Sequence, residues 1–171
     1  MMKRYVYILI LIIASNVLFS QKTQTVITKI AFGSCGDQSK PQPILNLVTK
    51  YSPDIFLYLG DNIYADTKDM GELKAKYDML GAKPEFKKLK ASTKILATWD
   101  DHDFGWNDVG RHYPFKEKSK ELFMNFFEED SASFRRQHEG IYDSYSYGPR
   151  GKRVQIILLD TRTFRDNLRP Y

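Results

Sequence analysis

Twelve consecutive residues, ATWDDHDFGWND, hold four aspartates, one histidine and two tryptophans between Ala97 and Asp108. Carboxylates at this density repel one another, and aspartate is a poor former of both helices and strands. A bound cation would offset the repulsion, because carboxylate and imidazole groups are common metal ligands. The stretch therefore predicts a metal site whose remaining ligands come from other parts of the chain.

The elements that must position such a site can be read from the apolar pattern. Short apolar or alternating segments rich in β-branched and aromatic residues predict strands. These segments are Thr25–Phe32, Asp54–Leu59, Thr93–Thr98, Ile141–Tyr147 and Arg153–Leu159. Segments with helical periodicity lie between them, with Gly81 as the expected stop between the second and third. They are Pro43–Tyr51, Met70–Leu80, Pro84–Lys90 and Phe115–Glu129.

Polar side chains accumulate where the predicted strands end. They are Cys35 and Asp37, Asp61 and Tyr64, Asp100 to Asp103, and Asp160 and Arg162. Strands separated by helices predict an α/β layered domain, and ligands of open α/β sheets bind beyond the carboxyl ends of the strands. Four clusters at one edge therefore predict a functional site, since a solvated charged face would not follow the strand ends.

Four motifs at these strand ends narrow the interpretation. FGSC (32–35), LGDNIYAD (59–66), WDDHDFGWND (99–108) and LDTRTFR (159–165) occur in this order. Together they resemble the PhoD-like, or alkaline phosphatase D, family of the calcineurin-like metallophosphatases. The resemblance covers residues 21–171 but only the N-terminal part of the family's catalytic domain. It implies an α/β fold, a layered α-β-β-α sandwich of which this chain holds the N-terminal half.

The resemblance also implies a binuclear metal centre. Asp61 matches the carboxylate that bridges the two ions, and Tyr64 and Cys35 match ligands of a ferric ion, Fe(III). Asp101 matches a ligand of the second metal, which the family resemblance implies is Ca²⁺, a cation that prefers oxygen donors. Asn107 is a further candidate oxygen ligand. Cys35 is the single cysteine of the chain, and metal binding would explain a lone thiol in an exported protein.

The catalytic roles implied by the resemblance fall on the residues around this centre. His102 matches the histidine that contacts the phosphoryl group and protonates the leaving oxygen. Arg162 and Arg165 are expected either to contact phosphate or to form ion pairs with aspartates. Asp100 and Asp103 are expected to orient His102. The implied reaction is metal-assisted hydrolysis of a phosphate ester.

Length and charge agree with one enzymatic domain. The chain has 171 residues, of which 42% are hydrophobic and 27% charged, values typical of a globular protein. Its net charge of +5 is mild, and no run of basic residues interleaves with its aromatic residues, so a nucleic-acid partner is not predicted. The expected substrate is a phosphate-ester small molecule or a phospholipid-type molecule. The choice between them depends on the walls of the binding pocket.

The first 20 residues have the order of an export signal. Lys3 and Arg4 precede an apolar run that ends at Phe19, and small and polar residues follow. This run is shorter than the roughly 20 apolar residues that a membrane-spanning helix needs. The sequence therefore predicts a signal peptide over residues 1–20, a domain over residues 21–171, and a periplasmic or extracellular location without a stable membrane span.

Other functions stay open. The family draws further metal ligands from motifs that would follow Tyr171, so the sequence also fits a fragment or a truncated product. A truncated, non-catalytic protein that binds a metal or a partner is the main alternative. A different calcineurin-like enzyme such as a nuclease is disfavoured by the mild charge. A purely structural secreted domain would leave the crowded aspartates unexplained.

Overall fold

The computed structural model describes residues 25–166 as a layered α/β domain. The elements follow one another in the order strand, helix, strand, two helices, strand, three helices and two strands. They are β1 (Ile30–Gly33), α1 (Ile44–Tyr51), β2 (Ile55–Leu59), α2 (Met70–Ala82), α3 (Pro84–Ser92), β3 (Lys94–Thr98), α4 (Asp101–Phe104), α5 (Lys116–Phe126), α6 (Phe134–Gln137), β4 (Asp143–Tyr147) and β5 (Val154–Leu158).

The strands form two sheets. β1, β2 and β3 are parallel and lie in that order, with Ile55 opposite both Ile30 and Lys94. β4 and β5 form an antiparallel pair in which Asp143 lies opposite Leu158. Because the first three strands are parallel and in register, their carboxyl ends lie along one edge of the sheet.

Alternation along β2 shows how the layers pack. Phe56 and Tyr58 face the helices and belong to the larger apolar core, whereas Ile55 and Leu57 pack towards β4 and β5. Successive side chains of a strand point to opposite faces, so β2 contributes to a core on each side of its sheet. The result is a helical layer, a three-stranded sheet and a two-stranded sheet. This arrangement matches the N-terminal half of the predicted sandwich.

Sequence signals account for several helix ends. Asp69 caps α2, since its carboxylate accepts hydrogen bonds from the backbone N–H groups of Gly71 (2.7 Å) and Glu72 (3.3 Å). Pro84 occupies the first position of α3, where its missing N–H costs no hydrogen bond. Gly81, the expected stop, instead lies inside α2. A Cβ atom there would lie 3.2 Å from the Phe126 ring, so glycine allows α5 to approach closely.

Two further predictions concern the N-terminal part of the chain. The first strand begins at Ile30 rather than at Thr25. The predicted signal peptide, residues 1–20, lies outside the described residues. Within residues 25–166, no helix has the length and apolar character needed to cross a membrane.

Large apolar side chains remain exposed on two surfaces. Leu47 on α1 is 63% exposed, and Phe32 on β1 is 69% exposed. On the outer face of the two-stranded sheet, Ile157 is 62% exposed and lines an open groove of about 610 Å³. Apolar patches of this kind commonly mark surfaces that are covered by other polypeptide.

Candidate metal centre

The carboxyl ends of β1, β2 and β3 bring three loops together. Cys35 follows β1, Asp61 follows β2, and Asp101 and His102 begin the short helix α4 after β3. Three residues from two of these loops, Asp61, Asp101 and His102, offer ligand atoms that all lie within 4.8 Å of one another. The predicted meeting of the strand ends in one site is therefore seen in the structure.

The carboxylate of Asp61 has the features of a cation ligand. Its Oδ1 atom is buried and has no hydrogen-bond partner among residues 25–166. Burial and the negative charges of Asp100 and Asp101 raise the pKa of Asp61, while the nearby His102 lowers it. An unpaired buried carboxylate oxygen is costly, and a bound cation would offset that cost. The donors of the cluster therefore fit a metal ion.

Cys35 and Tyr64 lie beside this carboxylate. The Cys35 thiol lies 3.7 Å from Oδ2 of Asp61 and is exposed at the edge of the site. Burial and a hydrogen bond with Cys35 raise the pKa of the Tyr64 phenol. The Tyr64 ring also packs on the His102 ring, with centroids 4.5 Å apart. The two predicted ligands of the ferric ion, the Cys35 thiol and the Tyr64 phenol, thus lie next to Asp61, the predicted bridging carboxylate.

The loops are held in unusual backbone conformations. Cys35, Asp61 and Asp66 all have positive φ angles, of 58°, 49° and 48°. Such angles are uncommon for residues other than glycine, and they cluster at functional sites where the surrounding structure imposes them. Gly60 has a φ of 107°, and a Cβ atom at this position would lie 2.7 Å from the Asp100 Cβ. Glycine is therefore required for the close approach of the β2 and β3 loops.

Backbone hydrogen bonds join the first two loops. The Cys35 N–H donates to Gly60 O at 3.2 Å, and the Gly36 N–H donates to Asp61 O at 2.9 Å. These two bonds extend the pairing of β1 with β2 by two residues beyond the sheet. They bring the Cys35 side chain alongside Asp61.

Asp66 is a site residue that the sequence interpretation missed. Its carboxylate lies 2.7 and 2.8 Å from Nδ1 of His102 and also accepts a hydrogen bond from the Asn107 N–H at 2.9 Å. Burial disfavours the charged imidazolium, but the hydrogen bond and charge of Asp66 outweigh it and raise the pKa of His102. Asp66 is the last residue of the motif LGDNIYAD, and its place in that motif is the sequence signal from which it could have been predicted as a site residue.

Within residues 25–166, Asp66 rather than Asp100 or Asp103 forms the side-chain hydrogen bond to His102, so the expectation that Asp100 and Asp103 orient this histidine is wrong. Asp103 is fully buried and accepts hydrogen bonds from Asn62 N (3.1 Å), Asn62 Nδ2 (2.6 Å) and Asp100 N (2.7 Å). Burial raises the pKa of Asp103 well above its usual value. Its role is to connect the β2 loop to the start of α4, because both loops donate to the same carboxylate.

The Arg162 guanidinium lies beside two aspartates of the site, Asp100 and Asp101. Its Nε atom is paired with Asp100, and its Nη2 atom lies 3.7 Å from Oδ1 of Asp101. The Nη1 atom is buried and has no hydrogen-bond partner within the described part of the chain. Arg162 therefore forms an ion pair with the site and keeps one donor for another acceptor.

Asn107 and Arg165 lie at the outer margin. The Asn107 side chain is exposed and donates to Asp108 at 3.1 Å, so it is near the site only through its backbone bond to Asp66. Arg165 donates to the Asp108 carbonyl oxygen at 2.5 Å. Its Nη2 atom also lies 3.4 Å from Oδ1 of Asp108, an ion pair with an aspartate that is one of the two expected roles.

Comparison with known proteins supports the fold. No family model matches the sequence, and no curated protein matches it. A solved structure titled "Structure of PhoD" matches with a TM-score of 0.66 and 17% sequence identity, over 85% of this chain and 33% of that chain. The chain thus spans about a third of the length of the PhoD chain that it matches. The predicted layered α/β fold, similar to part of the PhoD structure, is confirmed.

Proposed function

We propose that this chain is the N-terminal part of an exported, metal-dependent phosphoric ester hydrolase of the PhoD kind. The observation that carries the proposal is the cluster of Asp61, Asp101 and His102 donors within 4.8 Å at the carboxyl edge of a PhoD-like sheet. Its support includes the unpaired buried oxygen of Asp61, which faces the same cluster of charges. Export is proposed from the sequence of residues 1–20.

The donor set divides into two groups around Asp61. Cys35 and Tyr64 would hold a ferric ion and Asp101 would hold Ca²⁺, with Asp61 shared by both; the exposed Asn107 side chain would have to leave Asp108 to join them. Two cations in a shared site neutralise phosphate charge and acidify water, which is the chemistry that ester hydrolysis needs. Of the two groups, the Cys35 side has the soft sulfur donor and the Asp101 side has only hard oxygen donors.

His102 and Arg162 would handle the substrate. Asp66 holds Nδ1 of His102, which leaves Nε2 as the ring nitrogen that can donate a proton to a departing alkoxide. The free Nη1 donor of Arg162 is suited to a phosphoryl oxygen, since guanidinium groups bind phosphate through directed N–H bonds. The proposed substrate is a phosphate-ester small molecule or a phospholipid-type molecule.

A hydrolysis assay on the purified chain tests the proposal. The chain is loaded with Fe(III) and Ca²⁺ and assayed on p-nitrophenyl phosphate and bis(p-nitrophenyl) phosphate, with and without a chelator. We expect turnover that is lost on chelation and in Asp61→Ala. Asp78→Ala, which removes an exposed carboxylate paired with Lys74 on α2, is the matched control and keeps the activity. Turnover that survives both chelation and Asp61→Ala contradicts the proposal.

A second candidate function is a non-catalytic protein that binds a metal or a partner. The observation that favours it is the length of the match, because only 33% of the PhoD chain has a counterpart here. Metal analysis separates the two functions. One tightly bound ion per chain, lost in Asp61→Ala and accompanied by no turnover on either ester, supports the non-catalytic protein.

A further inference from the structure

A buried glutamine connects the loop after β1 to Tyr64. Gln38 is only 4% exposed, and its side-chain amide makes two hydrogen bonds to one residue of a different loop. Nε2 donates to Tyr64 O at 2.9 Å, and Oε1 accepts from Tyr64 N at 2.8 Å. The amide thus bonds to both polar backbone groups of Tyr64, as a neighbouring strand would.

The two hydrogen bonds between Gln38 and Tyr64 continue the contacts between the loop after β1 and the loop after β2. The backbone hydrogen bonds from Cys35 and Gly36 reach as far as Asp61. Three residues further along the same loop, the Gln38 amide bonds to the backbone of Tyr64. Tyr64 lies outside the helices and strands, so no regular ladder supplies partners for its backbone. Buried backbone groups need partners, and a glutamine amide offers both a donor and an acceptor.

The position of the Tyr64 ring depends on this backbone. The ring packs on His102 at 4.5 Å between centroids and lies beside Cys35 and Asp61. A shift of the Tyr64 backbone would carry the phenol away from all three side chains. Gln38 itself touches none of these three side chains through a hydrogen bond, so it acts through Tyr64.

We propose that Gln38 is a positioning residue that fixes the Tyr64 phenol beside Cys35, Asp61 and His102. Its value to catalysis rests on the proposed function, in which Tyr64 is a metal ligand. The positioning itself is a property of the metal-free chain and can be measured there.

Substitutions at two buried glutamines of the same loop separate positioning from folding. Gln38→Met keeps the side-chain length and removes both hydrogen bonds, and Gln38→Glu keeps the shape but cannot donate to Tyr64 O. Gln42→Met is the matched control. Gln42 is 9% exposed, and its amide donates to Asp37 O at 3.2 Å rather than to Tyr64.

The first measurement is the NMR chemical shift of the His102 ring protons in the metal-free protein. The Tyr64 ring imposes a ring-current shift on them, and Tyr64→Leu defines its complete loss. We expect Gln38→Met to move these resonances at least halfway to the Tyr64→Leu values, while Gln42→Met leaves them at the wild-type positions. Wild-type resonances in a folded Gln38→Met protein overturn the inference.

The second measurement is hydrogen exchange of the Tyr64 amide, which depends on Gln38 for its acceptor. We expect exchange in Gln38→Met to be about five- to tenfold faster than in Gln42→Met, as for the loss of one hydrogen bond, whereas Gln38→Glu keeps an oxygen that accepts from this amide and should remain protected. The wild-type protein alone also provides a test if a variant does not fold. A wild-type Tyr64 amide that exchanges as fast as an exposed amide overturns the inference.

Iron binding separates this inference from the proposed function. Fe(III) bound by a phenolate gives a visible charge-transfer band, which we expect in the wild-type protein and expect to weaken per bound iron in Gln38→Met. An iron-loaded wild-type protein without the band contradicts Tyr64 as a ligand and leaves the NMR result standing. Full intensity in Gln38→Met, with unchanged His102 resonances, overturns the positioning role.

Discussion

The pairing of Asp66 with His102 shows how one carboxylate can hold a histidine in a single orientation. Both oxygens of Asp66 lie within 2.8 Å of Nδ1, so the ring cannot rotate without losing a charged hydrogen bond. A carboxylate bonded to one ring nitrogen fixes the tautomer and presents the other nitrogen to the substrate. The same carboxylate also holds the Asn107 backbone, which fixes the start of the following turn.

We predict that Asp66→Asn lowers kcat about 10- to 100-fold with a smaller change in KM, because the imidazole loses its charged partner and its fixed orientation. Steady-state kinetics on bis(p-nitrophenyl) phosphate gives both constants. The ¹⁵N shifts of His102 report the same change as a mixed tautomer without any need for turnover. Asp78→Asn, in an exposed pair with Lys74, is the control. Unchanged kinetics and shifts in Asp66→Asn would exclude this role.

At the scale of the elements, buried charged side chains connect loops and strand ends through hydrogen bonds. Arg135 on α6 is 2% exposed, and its guanidinium donates to Ile141 O at 2.6 Å and to Ala97 O at 2.5 Å. It also lies 3.3 Å from a carboxylate oxygen of Glu129. One side chain thus connects α6, the end of β3 and the segments on either side.

Arg135→Met should lower the free energy of unfolding by about 3 kcal/mol, because it leaves two carbonyls and the Glu129 carboxylate without their buried partner. Urea denaturation followed by circular dichroism measures the change. Arg150→Met, at an exposed position, is the control and should change the stability by less than about 0.5 kcal/mol. Equal stabilities of the two variants would show that the network contributes nothing.

Asp160 performs a similar role after β5. Its carboxylate accepts hydrogen bonds from Trp99 Nε1 (3.0 Å), Ile141 N (2.8 Å) and the backbone and hydroxyl of Thr163 (2.9 and 2.6 Å). Burial opposes ionisation, but the hydrogen bonds from Thr163, Trp99 and the Arg162 N–H outweigh it and lower the pKa of Asp160. The two-stranded sheet is thereby attached to the end of β3.

The lowered pKa of Asp160 determines how its contribution to the free energy of unfolding changes with pH. A carboxyl group whose pKa is lower in the folded state stabilises the fold above its ordinary value of 3.8, and this stabilisation is lost as the pH falls towards the folded-state value. Asp160→Asn should therefore be about 2 kcal/mol less stable than wild type at pH 7, with a difference that shrinks below about pH 4. Urea unfolding at several pH values measures this. A difference that is constant with pH would contradict the prediction.

At the scale of the whole molecule, two surfaces expose large apolar side chains to solvent. Leu47 lies on the outer face of α1 and Ile157 on the outer face of β5, each more than 60% exposed. Neither surface is needed for the cores between the described layers. Exposed apolar area of this kind favours association with other polypeptide.

The double variant Leu47→Gln with Ile157→Thr should reduce self-association, measured by sedimentation velocity over a tenfold range of concentration. Its free energy of unfolding should stay within about 0.5 kcal/mol of wild type, because neither side chain is buried. Leu45→Gln, on the same helix but 4% exposed, is the contrasting control and should lose about 3 kcal/mol. Unchanged association of the double variant would show that other surfaces drive it.

The sequence by itself determined the order of the main elements and the edge of the sheet at which the site forms. Apolar runs such as Asp54–Leu59 and Thr93–Thr98 predict the strands to within a residue, because burial on both faces leaves a local signature. Crowded aspartates after a strand are also a local signal, since their repulsion needs a compensating charge. For these reasons the candidate metal site could be predicted before any contact was known.

Only the tertiary structure decided which polar groups meet. Asp66 is 36 residues before His102 in the sequence, and Gln38 is 26 residues before Tyr64, so no local pattern links the members of either pair. Asp103 lies next to His102 in the sequence but points into the core to Asn62. Hydrogen-bond partners depend on distances of less than 3 Å between separate loops, and only the packed strands and helices fix those distances.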